Sequence, residues 1–288
     1  SSAMAPCDSI EGPIVKLDNG DVMFLDNVED AKKFRARITE ILFMGDYLVN
    51  YAEFYHRGHR LVPAGYCEEW YCQEVKKAAR EKNVEDEVIK KVISNPVRNK
   101  ISAKESIELG NKIGVPLHPR YTYHWNTVSK DELIDFIEWI SKAGYDDGKI
   151  VLNKDDKGKR VMELLGIPHR CLDENVMVEQ DYGIGIAASL GFLDGNLDNI
   201  SERAKQFCGQ EENSLAIVNK MSSIKIMDKS GTFIGARMGR PEKAKIRKLT
   251  GSPQALFPVG NEGGKMRSIN AALDKGKITA EFPMYKCD

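Results

Sequence analysis

From Pro13 to Leu25, apolar and polar positions alternate on either side of Asp18-Asn19-Gly20-Asp21. Alternation sends successive side chains to opposite faces of a strand. Asn-Gly between two such runs predicts a hairpin, because a two-residue type I′ turn needs positive φ at both central positions. Asn27 then predicts a helix cap, with Glu29 and Asp30 in the first turn of a short helix from Val28 to Arg37, beside the positive end of its dipole. Ile38 to Tyr51 is rich in Ile, Phe, Tyr and Val and is broken by Gly45-Asp46, which predicts two short strands around a turn.

The period changes near residue 66. Glu68 to Lys82, Val84 to Ser94, Ala103 to Ile113 and Lys130 to Ala143 repeat apolar positions at helical spacing. Ser129 before Asp131 and Glu132 predicts a helix start, and Gly144 predicts a stop. Lys157 to Leu165 and Glu174 to Leu193 extend the helical reading on either side of Gly166-Ile-Pro168. Strand-like segments return at Ile224 to Met227, Thr232 to Ile234, Ala255 to Pro258 and Ile278 to Tyr285. The order predicts a small β-rich domain split by a mostly helical block. There is no internal repeat and no low-complexity tract.

Composition places the chain among ordinary globular proteins, with 288 residues, 42% hydrophobic and 30% charged. That length can bury a large core and accommodates two domains. No apolar run approaches the roughly 20 residues of a membrane helix, and no signal peptide is evident. Ser-Ser-Ala-Met-Ala at the start looks like a tag scar. The six cysteines are scattered, and only Cys67 and Cys72 are close. With His56 and His59 they form a conceivable metal set, but the surrounding Tyr and Trp favour core packing, and reduced thiols of a cytosolic protein are the default.

Charge changes the picture at one place. The chain carries 42 basic and 43 acidic side chains, yet six basic residues fall within the twelve from Arg237 to Lys248, offset by Glu242 alone. Gly231, Gly235 and Gly239 lead into them. Glycine lets a backbone approach a ligand closely, and Arg and Lys then meet phosphate, as a fork or as a point charge. A solvated charged helix is the other reading of the same run.

Other chemistry is sparse. Asp146-Asp147, Asp155-Asp156, Asp194 and Asp198 all sit in turn-like sequence and read as loop solvation. The chain has no phosphate-loop, dinucleotide or nucleophile-elbow motif. Pro116 to Trp125 interleaves His118, Arg120 and His124 with Tyr121, Tyr123 and Trp125. Such a segment either stacks on nucleic acid or packs its aromatics under the helices, the reading its composition favours. Gly260 to Arg267 is a glycine-rich loop ending in Lys265 and Arg267, either a phosphate-closing loop or a turn with a basic edge.

Four separated motifs, in order, carry a resemblance. They are Leu61-Val-Pro-Ala-Gly-Tyr-Cys-Glu-Glu-Trp70, Leu117-His-Pro-Arg-Tyr-Thr-Tyr123, Gly235-Ala-Arg-Met-Gly-Arg-Pro-Glu-Lys-Ala-Lys245, and Leu256-Phe-Pro-Val-Gly260 with Gly263-Gly264. Together they resemble the large subunit of the archaeal family D DNA polymerase, over essentially the whole chain but only a middle portion of that longer subunit.

The resemblance implies an α+β fold. A double-psi β-barrel would be formed by the N- and C-terminal portions and interrupted by a mostly helical insertion. Its boundaries would be 8–65 for the first part of the barrel, 66–212 for the insertion and 213–288 for the second part, ending before a truncated zinc ribbon. The family's metal-binding Asn-x-Asp-x-Asp motif is absent here, and Cys287 would be an orphan of the ribbon's Cys-x-x-Cys pair. The resemblance therefore implies Mg2+ in the complete enzyme with ligands outside this chain, no zinc, and no turnover by the chain alone.

The implied roles follow. Lys243 and Lys245 would be the catalytic cations, reaching primer-end or nucleotide phosphates. Arg237, Arg240, Arg247, Lys248, Lys265, Arg267 and Arg120 would bind DNA. Pro241 suits the first position of a helix, whose N-terminus would add its dipole to the phosphate site. The implied partners are DNA, dNTP, the second barrel of the same subunit and the small exonuclease subunit of a heterodimer, in the cytoplasm with no membrane. Two other readings stand: a nucleic-acid-binding module without catalysis, and an RNA-polymerase-like barrel of another family.

Overall fold

The computed structural model describes residues 11–49, 65–229, 235–238, 259–260, 262, 264 and 268–279, with backbone only at 47–49 and 235–238. The predicted hairpin is present: β1 (Ile14–Leu17) runs antiparallel to β2 (Val22–Phe24), with Ile14 opposite Phe24. Its turn differs from the two-residue type. Only Gly20 takes a left-handed φ, +87°, and the Asn19 side chain instead bonds Asp21, accepting from its N–H at 3.2 Å and donating to its carboxylate at 2.8 Å. Asn27 caps α1 (Val28–Phe34), its side-chain oxygen accepting from the Asp30 N–H at 2.7 Å, and one 3-10 turn continues to Arg37. β3 (Ile38–Phe43) pairs on the other side of β1, giving the order β2-β1-β3.

After Gly45 the chain leaves this sheet. β4 (Asp46–Val49) pairs in parallel with β9 (Gly235–Met238), Asp46 opposite Gly235 and Leu48 opposite Arg237. Parallel neighbours need a crossover connection, and here the crossover is the entire middle block.

That block begins with three helices. α2 (Glu68–Lys82) ends at Asn83 in a left-handed cap, α3 (Glu87–Ser94) is capped by Asp86, and α4 (Ala103–Ile113) opens with a reciprocal Ser102–Glu105 capping box. Tyr71, Val75, Ile89, Val92, Leu109 and Ile113 form the core between them.

The larger core lies against a four-stranded antiparallel sheet. Its strands are β5 (Gly144–Asp146), β6 (Lys149–Asn153), β7 (Arg170–Leu172) and β8 (Asn175–Val178), in the order β5-β6-β8-β7. Ile150, Leu152, Val176 and Val178 point inward to α5 (Lys130–Ile140), α6 (Asp156–Leu165), α7 (Gln180–Leu190), α8 (Ile200–Cys208) and α9 (Ser214–Met221). The middle block is thus mixed, and three expectations change. Glu174 to Leu193 is not one helix: Asn175-Val-Met-Val178 follows a period of two, with buried valines on alternate positions, and the helix starts at Gln180. Gly144 opens β5 rather than ending a helix, since α5 stops at Ile140. Ile224 to Met227 forms no ladder, although Lys225 accepts the Leu117 N–H at 3.0 Å and Ile226 is buried.

Close approach explains a glycine in α7. A Cβ on Gly183 would lie 1.8 Å from the Gly148 carbonyl oxygen in the β5–β6 turn, so the helix can lie on the sheet only without that atom. The two antiparallel sheets are joined by one bridge, in which Val22 and His169 exchange N–H···O bonds of 2.9 Å. The bridge cannot lengthen into a ladder. On one side the Ile167 N–H is already taken by the Met162 carbonyl at 3.0 Å, and on the other the Asp21 side chain takes the Cys171 N–H at 2.7 Å.

Residues 241–288 form a separate compact unit from 1–240. Within it, Ser268 caps α10 (Ile269–Lys275), Gly276 ends that helix with φ +64°, and Lys275 binds the Glu262 carboxylate at 2.7 and 2.9 Å. The strands expected at Thr232–Ile234 and Ala255–Pro258, and most of Ile278–Tyr285, lie outside the described residues.

Candidate functional site

β9 delivers the basic run. Its residues Gly235–Met238 are the first of the glycine-arginine signature, and their backbone is hydrogen-bonded to β4. Arg237 therefore sits on a paired strand, opposite Leu48. Arg240, Lys243, Lys245, Arg247, Lys248, Lys265 and Arg267 lie outside the described residues, as do His56, His59 and Cys287.

Arg120 is placed in full. Its guanidinium donates to Asp26 Oδ2 at 2.6 Å, approaches the Tyr182 hydroxyl at 3.5 Å, and lies 4.8 Å from the centroid of the Phe24 ring. Lys100 binds the same Asp26 oxygen. Burial by itself would raise the Asp26 carboxyl, but hydrogen bonds from Lys100 and Arg120 hold it below the usual carboxylate range. Arg120 thus ties the strand end at Phe24–Asp26 to α7, and its fork is already in use.

The rest of the aromatic-basic segment is interior. Tyr121, Tyr123 and Trp125 are all buried, and the tyrosine hydroxyls donate to the Ile101 and Tyr182 carbonyls at 2.7 and 2.6 Å. His118 meets Tyr71 edge-on with centroids 4.8 Å apart, and its Nδ1 accepts the Arg120 N–H at 3.2 Å. His124 stacks on Phe43 of β3 at 3.9 Å with the planes 9° apart. Burial lowers both imidazoles, His118 to about 3. Of the two readings of Pro116–Trp125, the structure takes the packing one: these rings hold the helical block to the N-terminal sheet and offer no face to a base.

Sequence reasoning missed the strongest charge cluster. Glu163 of α6 is buried and binds Lys159 at 2.5 Å, Arg160 at 2.8 Å and Lys16 of β1 at 2.9 Å. Desolvation would raise its carboxyl, but hydrogen bonds from Lys159, Lys16 and Arg160 win and bring it down to about 2. The helical spacings of Lys159 and Arg160 were a readable signal; Lys16 was not. A second missed group is Glu68, half-buried near Glu11 and Lys229. Burial, and then the Glu11 charge, raise its carboxyl. Lys229 reaches Glu11 at 3.5 Å.

Among the described residues, no three His, Cys, Asp or Glu side chains are grouped to hold a metal ion. The acids that do cluster, Asp26 and Glu163, are already engaged by cations, so they do not fit a Mg2+ pair. Cys72 is core, and Cys67 precedes α2 with its thiol pushed up to about 11 by burial. Among the described residues no helix is long and apolar enough to cross a membrane.

Comparison with known proteins relates this sequence to the large subunits of DNA polymerases. Residues 1–288 match the family described as DNA polymerase II large subunit DP2, central domain, and the chain belongs to that family. It is 34% identical over 286 residues to the DNA polymerase II large subunit of Methanothermobacter thermautotrophicus, covering 99% of this chain and 25% of that protein. Identity is 36% over 318 residues with the same subunit of Nanoarchaeum equitans, covering 100% and 25%, and 33% over 322 residues with that of Pyrococcus horikoshii, covering 99% and 22%. The chain therefore spans about a quarter of the length of these archaeal relatives.

Proposed function

We propose that this chain is part of the catalytic core of a DNA-directed DNA polymerase and grips DNA and nucleotide phosphates through the basic run that follows β9. The observation that carries the reading is the family match from end to end of the chain. The parallel pairing of β4 with β9 supports it, because it brings the N-terminal portion beside the strand that opens the signature, across the whole middle block. Two portions joined in this way are what a double-psi barrel interrupted by an insertion requires.

Phosphoryl transfer by two metals needs carboxylates for the ions and cations for the phosphate charge that the metals leave uncovered. Lys243 and Lys245 supply cations to the primer-end or nucleotide phosphates, and Arg237, Arg240, Arg247, Lys248, Lys265 and Arg267 hold the strand backbone. The acids for Mg2+ come from the second barrel of the longer subunit, which works with a small exonuclease subunit in the cytoplasm. By itself the chain binds and does not turn over. The test is primer extension by the complete two-subunit enzyme. Lys243→Ala and Lys245→Ala each lower nucleotide incorporation by orders of magnitude, and unchanged turnover in both variants overturns the assignment.

A further inference from the structure

A narrow cavity lies where the segment before β1, the first turn of α2, the aromatic segment and Lys229 meet. Its walls include Glu11, Glu68, Thr122, His124 and Lys229, and the space inside that can take the centre of a water is about 20 Å³. About 10–15 Å³ of such space suffices for one molecule. Two polar atoms of these side chains are sealed from solvent and have no hydrogen-bond partner among the described residues: His124 Nδ1 and Glu68 Oε2. His124 is more than nine-tenths buried, and the stack on Phe43 fixes its ring.

The charges around the cavity decide what fits. Lys229 Nζ stands 3.5 Å from Glu11 Oε1, and Arg120, also in the wall, is engaged by Asp26. A metal ion would meet these cations, and among the described residues no three acid, Cys or His side chains group to hold one. An anion would meet Glu11 and Glu68. A small neutral molecule that both donates and accepts suits all of them. Burial, and then the Glu11 charge, raise the Glu68 carboxyl to about 7, so near neutral pH it can donate as well as accept. Burial lowers the His124 imidazole and keeps it neutral. Polar atoms left dry are costly, and the Lys229 ammonium has protons to spare after Glu11.

We propose that this cavity binds one structural water, which bridges His124 Nδ1 to the Glu68 carboxyl and the Lys229 ammonium. The bridge ties α2 and the aromatic segment to the Glu11–Lys229 pair. Glu11 is in turn joined to the first residue of β4: its N–H donates to Asp46 Oδ2 at 2.6 Å, and the Asp46 N–H donates to its carbonyl at 2.9 Å. Gly45 permits this crossing, since a Cβ there would lie 2.6 Å from the Glu11 carbonyl oxygen. The water thus anchors the root of β4, the strand that pairs with β9. Its role does not depend on which reaction the basic run serves.

The experiment is magnetic relaxation dispersion of water, which counts long-lived internal waters, with thermal unfolding and amide hydrogen exchange of the full 288-residue chain. Glu68→Gln supplies an amide that both donates and accepts, so it keeps the water and a melting temperature within about 1 °C of wild type. Glu68→Leu removes the bridge. One long-lived water is then lost, and the melting temperature falls by about 3–6 °C. The Asp46 amide exchanges about tenfold faster, a larger change than in β6. His124→Phe keeps a ring stacked on Phe43 and loses the same water. Water counts equal to wild type in both Glu68→Leu and His124→Phe overturn the site. So does a Glu68→Gln protein as impaired as Glu68→Leu, because the carboxylate is then needed as a direct ion partner of Lys229. Loss of the water with unchanged exchange at Asp46 overturns the anchoring of β4.

Discussion

Lys16 Nζ on the first strand lies 2.9 Å from Glu163 Oε1 on the helix that packs behind it. This pair joins the N-terminal sheet to the middle block, and Lys159 and Arg160 complete the shell around the same carboxylate. Removing one partner of a buried ion cluster leaves uncompensated charge. Glu163→Gln is expected to cost about 3 kcal/mol, because three cations then converge on a neutral amide. Chemical denaturation of the two proteins measures it, and a loss below about 0.5 kcal/mol contradicts the assignment, since surface pairs fall in that range.

The same carboxylate predicts an acid limb. Its folded pKa, about 2, is below the ordinary glutamate value. Its contribution is therefore complete above the unfolded pKa and is lost as pH falls through about 4.5 toward 2. In Glu163→Gln that part of the stability–pH curve flattens.

Buried histidines act at higher pH. Burial lowers His118 to about 3 and His169 to about 4, from an ordinary value of 6.5. Between 6.5 and those values the unfolded chain binds protons that the folded chain refuses, so stability is full above about 6.5 and falls with acidification. Each group contributes about 1.4 kcal/mol per pH unit within its window. Burial lowers His124 too, so melting temperatures from pH 7.5 to 5 are expected to decline steadily, and His169→Gln to reduce the slope by about a third. A flat profile over that range excludes these histidines as the acid-sensitive groups.

Asp26→Asn tests the Arg120 anchor. Arg120 is three-quarters or more buried, so losing its carboxylate partner is expected to cost about 2 kcal/mol, within the range for a hydrogen bond to a charged group. The Lys100 contact, being more exposed, adds little. A double-mutant cycle with Arg120→Lys separates the two, since an ammonium cannot reproduce the fork beside Phe24 and Tyr182.

Gly183→Ala is expected to destabilise by about 2 kcal/mol despite the better helix propensity of alanine, because the new methyl meets the Gly148 carbonyl oxygen at 1.8 Å. A raised melting temperature would show that α7 can lift from the sheet without loss.

Local signals were legible wherever the determining interaction is short in sequence. The Asn27 cap, the helix start at Ser129 and the break at Gly45-Asp46 appear as the residues predict, and the hairpin at Asn19-Gly20 forms around a different turn. Each depends on groups within four residues. The reading failed at Glu174–Leu193, where a two-residue period in Asn175–Val178 runs directly into a helix whose glycines weaken its own pattern. For Pro116–Trp125 the packing that the composition favours is what the structure shows, with Tyr121, Tyr123 and Trp125 all buried.

The sequence by itself determined the family, through rare motifs in a set order, and most element starts and stops, through caps and turns that act locally. Tertiary structure alone decided that β4 pairs with β9 across the middle block, that Arg120 belongs to Asp26, and that Lys16 closes on Glu163. Those partners are far apart along the chain, and burial selects them. An unpaired charge or strand edge is costly once water is removed, so each finds its partner only when the sheets and helices have packed.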